Sequence, residues 1–178
     1  MTAAPLMPPP QPPADDNGPP TPQALRAALG RFATGVTIIT CLDAEGRAIG
    51  LTANSFASLS LDPPLVLWSL RKASGSRAAF EAARHFVINV LAETQVDLSR
   101  RFASPAVPDK FAEGAWAPGL GGVPVLAGCA AVFECQAEAC HDVGDHLLFI
   151  GRVLCLADLA MSPLVFQGGH YRMVGEVL

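Results

Sequence analysis

Short runs of β-branched and other apolar residues recur through the 178-residue chain, and no long helical pattern separates one run from the next. Such runs are typical of β-strands. Parallel strands need a long crossover between them, usually a helix, so this spacing argues against a doubly wound parallel sheet. It favours a mostly antiparallel barrel or sandwich with a few short helices. The predicted strands cover residues 35–41, 48–54, 65–70, 86–90, 132–137, 147–154, 165–166 and 171–174.

Three short helices are expected beside these strands. The first begins at Thr21 and Pro22, because a threonine side chain can cap the free amides of a helix and proline suits its first turn. Its apolar residues include Leu25, Leu29 and Phe32, which recur with helical spacing and form one stripe. The other two predicted helices cover residues 76–84 and 94–102.

Two segments have no periodic pattern. Nine of the 16 prolines lie in residues 1–22, and residues 1–20 are predicted to form a disordered tail ahead of one domain over residues 21–178. Residues 103–128 are also rich in proline and glycine. A structureless loop of that length inside a compact domain indicates either a functional segment or an error in the assignment.

The composition limits what the chain can bind. Charged residues make up 16% of the sequence, against about 25% in typical domains, which indicates a large buried interface between subunits. The net charge is −4 and no run of Lys or Arg exceeds a doublet, so nucleic acid is not an expected partner. The longest uncharged stretch beyond the tail, residues 114–133, is interrupted by proline and glycine, so we expect no membrane span.

The cysteines and the missing motifs narrow the chemistry further. The five cysteines include no C-x-x-C pair, so we expect free thiols in a reducing cytoplasm and no metal site. The N-terminus lacks the pattern of a secretory signal. The chain also lacks the dinucleotide fingerprint, the phosphate-binding P-loop, the nucleophile elbow and the zinc-protease motif. Because these signatures are absent, we expect a ligand to bind on a barrel surface or in a groove at an interface.

The segment over residues 50–67 is the most informative part of the chain. It places small and hydroxyl-bearing residues between two apolar strands: Thr52, Ala53, Asn54, Ser55, Ser58 and Ser60. Small side chains let a flat ligand approach the backbone, and hydroxyls and free amides can hold phosphate or carbonyl oxygens. A solvent-facing strand and turn, in which serine and threonine are ordinary, is the alternative interpretation.

Several motifs in this chain resemble those of one protein family. They are GLTANSF at 50–56, SLDPPLV at 60–66, RFATGVTIIT at 31–40, FVINVL at 86–91, RFA at 101–103, DKF at 109–111, GDH at 144–146, PLVF at 163–166 and GHYR at 169–172. Together they are similar to the flavin reductase-like proteins with the FMN-binding split barrel, the small reductase components of two-component flavin monooxygenases. The resemblance runs from about residue 25 to residue 174.

The resemblance implies a fold, an assembly and a set of site residues. The fold is an antiparallel Greek-key split β-barrel with short peripheral helices, and the assembly is a homodimer with two flavin sites near the subunit interface. The residues implied around the flavin ring and ribityl chain are Thr52, Ala53, Asn54 and Ser55. Those implied near its phosphate are Ser69, Leu70, Lys72 and Ser74. Further cofactor-binding positions are Ser58, Lys110, Phe111, Gly144, Asp145, His146, Tyr171 and Arg172.

Three of these residues have a specific role and an ordinary alternative. Lys72 is a candidate charge partner for the phosphate, or else a solvated surface lysine. Arg172 is a second candidate phosphate contact, or else part of a surface ion pair. The resemblance places His146 beside the flavin and the nicotinamide, where it would orient the pyridine dinucleotide, since hydride transfer needs no protein acid or base on the reacting carbon. A structural histidine at a strand end is the alternative.

The function implied is an NAD(P)H:flavin oxidoreductase that reduces FMN or FAD by hydride transfer and supplies reduced flavin to a partner monooxygenase. Two alternatives stay open, because one fold can host several functions. One is a non-catalytic flavin carrier or sensor, and the other is a reductase that retains its flavin and passes electrons to a bound acceptor. The sequence does not separate NADH from NADPH, since no charged residue stands at a recognisable ribose-binding position.

Overall fold

The computed structural model describes residues 18–176. The predicted tail, residues 1–20, lies outside this range except for residues 18–20. The helices are α1 (Pro22–Leu29), α2 (Arg77–Ala82) and α3 (Val96–Ala103). The strands are β1 (Thr34–Gly35), β2 (Thr37–Leu42), β3 (Ala48–Ala53), β4 (Ala57–Leu61), β5 (Pro64–Arg71), β6 (His85–Val90), β7 (Trp116–Pro118), β8 (Pro124–Leu126), β9 (Ala131–Val143), β10 (His146–Asp158), β11 (Val165–Gln167) and β12 (His170–Arg172).

A seven-stranded sheet dominates the fold, with the strand order β3-β2-β6-β9-β10-β5-β4. Every strand pair in it is antiparallel, which confirms the predicted mostly β, antiparallel architecture. The two edge strands, β3 and β4, are joined directly by residues 54–56. Within that link, Ser55 Oγ accepts a hydrogen bond from the Ser69 N–H at 3.0 Å and lies 3.1 Å from the Ser69 carbonyl oxygen, so the link is tied to β5 and the sheet curves into a barrel.

The hairpin of β9 and β10 connects the two halves of the sheet. Each strand has 13 residues, and β9 pairs with β6 while β10 pairs with β5. The register shifts between Ile150 and Gly151 and again between Val153 and Cys155. Such bulges bend a strand and increase its twist. A Cβ on Gly151 would collide with the Phe86 ring and would lie 3.0 Å from Cys135 Cβ, so the bend requires a residue without a side chain.

Aromatic rings fill the barrel interior. The Trp68 ring stacks on Phe149 with 4.6 Å between centroids, and it meets Phe80 and Phe86 edge-on at 4.9 Å and 5.9 Å. All four side chains are buried. Burying a large apolar side chain contributes about 1.5–3 kcal/mol, and aromatic pairs add to that. This cluster therefore fixes α2, β5, β6 and β10 against one another.

The segment over residues 103–128, which has no sequence periodicity, packs onto the outside of the barrel. Two three-residue strands, β7 and β8, pair within it, and Leu126 is buried in a second apolar cluster with Phe102. The buried Asn89 side chain anchors it, because Asn89 Nδ2 donates to the Ile38 carbonyl at 3.0 Å and Asn89 Oδ1 accepts from the Leu126 N–H at 2.8 Å. Strands this short are below the length at which alternation can be recognised.

Other sequence expectations need correction in detail. β4 was not predicted, because serines and turn residues obscure its alternation, and β9 and β10 are longer than the predicted strands. The cap of α1 is confirmed, since Thr21 Oγ1 accepts from the Ala24 N–H at 3.2 Å. No residue of α1 is buried, however, and Leu29 and Phe32 are 63% and 77% exposed. Its apolar stripe therefore lacks a partner within the described chain.

The cysteines are unpaired thiols, as expected. Cys41, Cys129 and Cys135 are buried and Cys140 and Cys155 are exposed. Burial raises the pKa of the three buried thiols to about 12, so they stay protonated and unreactive at neutral pH.

None of the helices within residues 18–176 has the length and apolar character needed to cross a membrane.

Replacement of Gly151 by alanine tests the packing of the bent hairpin. We expect Gly151→Ala to lower the free energy of unfolding by about 1–3 kcal/mol, because the new methyl group overlaps the Phe86 ring in a filled core. The matched control is Gly35→Ala, since a Cβ at Gly35 meets nothing within 4 Å. Urea unfolding measures both variants, and equal stability of the two would contradict this account of the bulge.

Candidate functional site

A cavity of about 600 Å³ opens where β3 and β5 end, between α2 and α3. It contains nine of the residues that the sequence analysis singled out: Thr52, Ala53, Asn54, Ser55, Ser69, Leu70, Ser74, Lys110 and His146. The other lining residues are Leu51, Arg71, Ala73, Gly75, Ser76, Phe102, Ala103 and Pro105. Residues distant in the sequence therefore converge on one concave surface.

Several of the hydroxyl groups at this cavity are engaged in holding the backbone. Thr52 Oγ1 donates to the Ser99 carbonyl at 2.7 Å and so joins β3 to α3. Ser55 Oγ bonds to the backbone of Ser69, and Ser74 Oγ accepts from the Ser76 N–H at 3.2 Å. By contrast, the exposed Asn54 side chain has no hydrogen-bond partner within residues 18–176. A ligand would therefore meet the Asn54 amide, backbone groups and small side chains.

Two cationic side chains line the cavity. Lys110 Nζ donates to the Phe102 carbonyl at 2.8 Å near the end of α3, and burial lowers the pKa of Lys110. Arg71 is exposed and forms no ion pair with another residue in the part of the chain that the structure describes. Arg71 was not among the residues predicted from the sequence, although its place beside the predicted phosphate residues Ser69 and Leu70 is a signal for it.

Lys72, the predicted phosphate partner, lies outside the cavity lining. Its Nζ pairs with the Asp142 carboxylate and donates to the Gly144 carbonyl at 2.7 Å. Its backbone N–H donates to the Asp145 carbonyl at 3.0 Å. These contacts fasten the turn of the β9–β10 hairpin to the end of β5. A phosphate role for Lys72 stays a prediction, and the observed contacts give it a positioning role.

His146 reaches the cavity as the first residue of β10. The turn before it contains Gly144 at a φ of +57°, a left-handed conformation that glycine adopts without strain. His146 Nδ1 lies 2.7 Å from the Asp145 carboxylate, and this hydrogen bond lowers the pKa of Asp145. With Nδ1 engaged, Nε2 is the ring nitrogen left for a ligand.

The other predicted site residues lie elsewhere. Gly144 and Asp145 form the turn beside the cavity, and Ser58 is exposed on β4. Phe111 lines a separate cavity of about 240 Å³. Tyr171 lines a cavity of about 180 Å³ that shares Thr52, Ala53 and Asn54 with the main one, and its hydroxyl lies 2.9 Å from Ser99 Oγ. Arg172 lines a third neighbouring cavity, described below.

The lining fits a flat, phosphorylated ring compound. The alanines and glycine leave room beside the backbone, and Arg71 and Lys110 provide positive charge for a phosphate. Within residues 18–176, no three His, Cys, Asp or Glu side chains come together in a way that could hold a metal ion. The cavity thus offers small side chains and positive charge to a flat anionic ligand.

Known proteins resemble this chain over most of its length. Residues 29–175 match the family model described as flavin reductase like domain. The chain is 46% identical over 160 residues to a probable flavin reductase of Rhizobium meliloti, covering 88% of this chain and 51% of the relative. It is 48% identical over 149 residues to the FMN reductase (NADH) SmoA of Agrobacterium fabrum, covering 84% of each chain. The chain thus spans about half the length of the first relative and most of the second.

Two further relatives extend the comparison. The chain is 46% identical over 151 residues to the reductase subunit HsaB of a flavin-dependent monooxygenase of Rhodococcus jostii, covering 84% of this chain and 76% of the relative. The Streptomyces globisporus NADH:FAD oxidoreductase SgcE6, solved with NAD and FAD fragments, superposes with a TM-score of 0.82. That pair is 35% identical over 87% of this chain and 93% of the other. These matches confirm the split-barrel architecture, and the chain belongs to the flavin reductase like domain family.

Proposed function

We propose that this protein is an NAD(P)H:flavin oxidoreductase that reduces FMN or FAD. The observation that carries the proposal is the single cavity that brings together the small-residue end of β3, the cations Arg71 and Lys110, and the oriented imidazole of His146. The names of SmoA, an NADH-dependent FMN reductase, and SgcE6, an NADH:FAD oxidoreductase, support it. Both relatives also favour NADH as the electron donor.

Each group at the cavity has a role in this proposal. When flavin is bound, its ring is the hydride acceptor, and that redox chemistry belongs to the flavin. Residues 52–55 bind the ring and ribityl chain through their backbone and the Asn54 amide. Arg71 and Lys110 balance the phosphate charge. His146 orients the nicotinamide beside the ring, and Asp145 and Lys72 fix the position of His146. The chain then contributes positioning and exclusion of water, not a nucleophile.

The reduced flavin is the substrate for a second protein in this proposal. HsaB is named as the reductase subunit of a flavin-dependent monooxygenase, which supports an oxygenase partner for this chain. We also propose a cytoplasmic location, supported by the five free thiols, because a reducing compartment preserves them.

We further propose that the protein is a homodimer. The exposed stripe of α1 continues into an apolar cavity of about 460 Å³ that Leu29, Phe32 and Phe166 line. Asn54 and Ser55 line this cavity as well as the main one, so a second copy packed over its apolar rim would border the flavin site. Large apolar side chains are also exposed at Leu154, Leu156, Leu159 and Met161. Large apolar side chains exposed in this way are typical of subunit interfaces.

Anaerobic stopped-flow absorbance tests the activity. The protein is mixed with FMN or FAD and then with NADH or NADPH, and the flavin band is followed. We expect fast bleaching with one flavin and one nicotinamide that depends on the protein. Tight flavin binding without accelerated bleaching would instead identify a carrier or sensor, and NAD(P)H oxidation that does not depend on flavin would contradict the proposal.

Replacement of His146 tests its positioning role. We expect His146→Ala to lower kcat/KM for NAD(P)H about tenfold, the effect of losing about 1.4 kcal/mol of orientation in the transition state. The flavin dissociation constant should change little. His141→Ala is the matched control, since His141 is exposed on β9 and does not line the cavity. Equal rates for the two variants would remove His146 from the mechanism.

A charge within the apolar stripe tests the homodimer. We expect Phe32→Asp to convert a dimer into a monomer in sedimentation-velocity ultracentrifugation, because a buried unpaired carboxylate is costly. Ala44→Asp is the control, since it adds the same charge at the exposed turn between β2 and β3. A wild-type monomer, or a Phe32→Asp variant that still dimerises fully, would exclude this interface.

A further inference from the structure

A second cavity, about 520 Å³ in volume, lies beside α1 and carries a concentration of positive charge. Its lining residues are Arg26, Ala27, Gly30, Arg31, Gln167, Gly168, Gly169, His170 and Arg172. Three of these are arginines and none is acidic. We refer to it as the basic cavity. This concentration is notable in a chain with a net charge of −4.

The arginines of the basic cavity are not engaged elsewhere. Within residues 18–176, Arg26, Arg31 and Arg172 form no ion pair and no side-chain hydrogen bond. Elsewhere in the described chain, arginines such as Arg77, Arg101 and Arg152 are paired with carboxylates. A cation near the end of a helix can simply offset the helix dipole. The helix dipole does not explain Arg172, because Arg172 lies in β12 and not near a helix end in the sequence.

The backbone holds this cavity in place. Gly168 and Gly169 are both left-handed, with φ of +59° and +82°, in the turn between β11 and β12. The Gly168 N–H donates to the Gly30 carbonyl at 2.9 Å, which joins that turn to the end of α1. His170 Nδ1 lies 2.9 Å from the Gly168 carbonyl. The arginines of α1 and β12 are therefore brought together by a fixed turn.

The basic cavity is separated from the proposed flavin site by one further cavity. The apolar cavity lined by Leu29, Phe32 and Phe166 lies between them, sharing Gly30, Gln167 and Gly168 with the basic cavity and Asn54 and Ser55 with the main one. Thr34, whose buried Oγ1 has no hydrogen-bond partner within the described residues, also lines it. The apolar cavity thus borders both the cavity that His146 lines and the cavity that the three arginines line.

We propose that the basic cavity binds the adenosine diphosphate half of a dinucleotide. Guanidinium groups form paired, charge-assisted hydrogen bonds with phosphate oxygens, and three of them match a pyrophosphate better than one phosphate. NADH and FAD both contain adenosine diphosphate, whereas FMN lacks it. The proposal rests on the proposed function for the main cavity, and it adds a binding site for the part of NADH or FAD that FMN lacks.

Titration of the intact protein with ADP tests the site without any turnover. We expect wild-type protein to bind ADP in isothermal titration calorimetry and Arg26→Ala/Arg172→Ala to bind it at least about tenfold more weakly, since each lost arginine removes charge-assisted hydrogen bonds. Arg84→Ala is the matched control, because Arg84 is an exposed arginine that lines none of these cavities. FMN affinity should be the same in all three proteins.

Two further measurements identify which dinucleotide supplies the group. If it is NADH, the double variant raises the KM for NADH with FMN as acceptor and leaves the FAD dissociation constant unchanged. If it is FAD, the dissociation constant for FAD rises towards that for FMN and the KM for NADH is unchanged. Either result supports the proposal.

Two results would overturn it. One is the absence of ADP binding to wild-type protein, or equal ADP affinity in the double variant. The other is a shift from dimer to monomer in the double variant with ADP affinity preserved, which would assign the arginines to the partner subunit. Failure of the proposed function is distinguishable, because ADP binding that depends on the arginines would then persist without flavin-dependent NADH oxidation.

Discussion

The architecture depends on the bent antiparallel hairpin of β9 and β10. In the hydrogen-bonded order of the seven-stranded sheet, this hairpin lies between the half that contains β2, β3 and β6 and the half that contains β4 and β5. A flat hairpin of this length would hold the halves in one open layer, whereas bulged strands bend. The bend brings Gly151 against the Phe86 ring, at a distance that no side chain could occupy. The aromatic core around Trp68 then fills the space that the curvature encloses.

The same hairpin positions the candidate site at its turn. His146 begins β10, and Lys72 at the end of β5 fastens the turn through Asp142 and Gly144. Much of the polar chemistry near the cavity serves this scaffold, since the hydroxyls of Thr52 and Ser55 bond to backbone groups. What the cavity presents to a ligand is accordingly backbone, small side chains, two cations and one oriented imidazole. That selection suits a flat anionic ligand whose own chemistry does the redox work.

Two kinds of side chain on the surface of the single chain lack a partner among the described residues, namely exposed apolar side chains and unpaired arginines. Apolar side chains on α1 and near the end of β10 have no partner among the described residues, and three arginines around the turn between β11 and β12 have no carboxylate. Leu29 and Phe32 line the apolar cavity beside the candidate site, and the three arginines line the cavity next to it. A second copy would satisfy the first and a dinucleotide would satisfy the second, so assembly and substrate selection would meet along the same edge of the barrel.

The sequence by itself determined most strands, the capped start of α1 and the family, because alternation, β-branched residues and short motifs act within a few residues of chain. It also indicated nine of the residues that line the cavity. Only the tertiary structure decided that Lys72 bonds to Asp142, that Arg71 faces the cavity, and that the stripe of α1 lies exposed. These outcomes depend on which distant elements the bent hairpin brings together. Local sequence patterns specify which residues lie on the same face of a helix or strand. Only the packing of distant elements specifies which residues that face contacts.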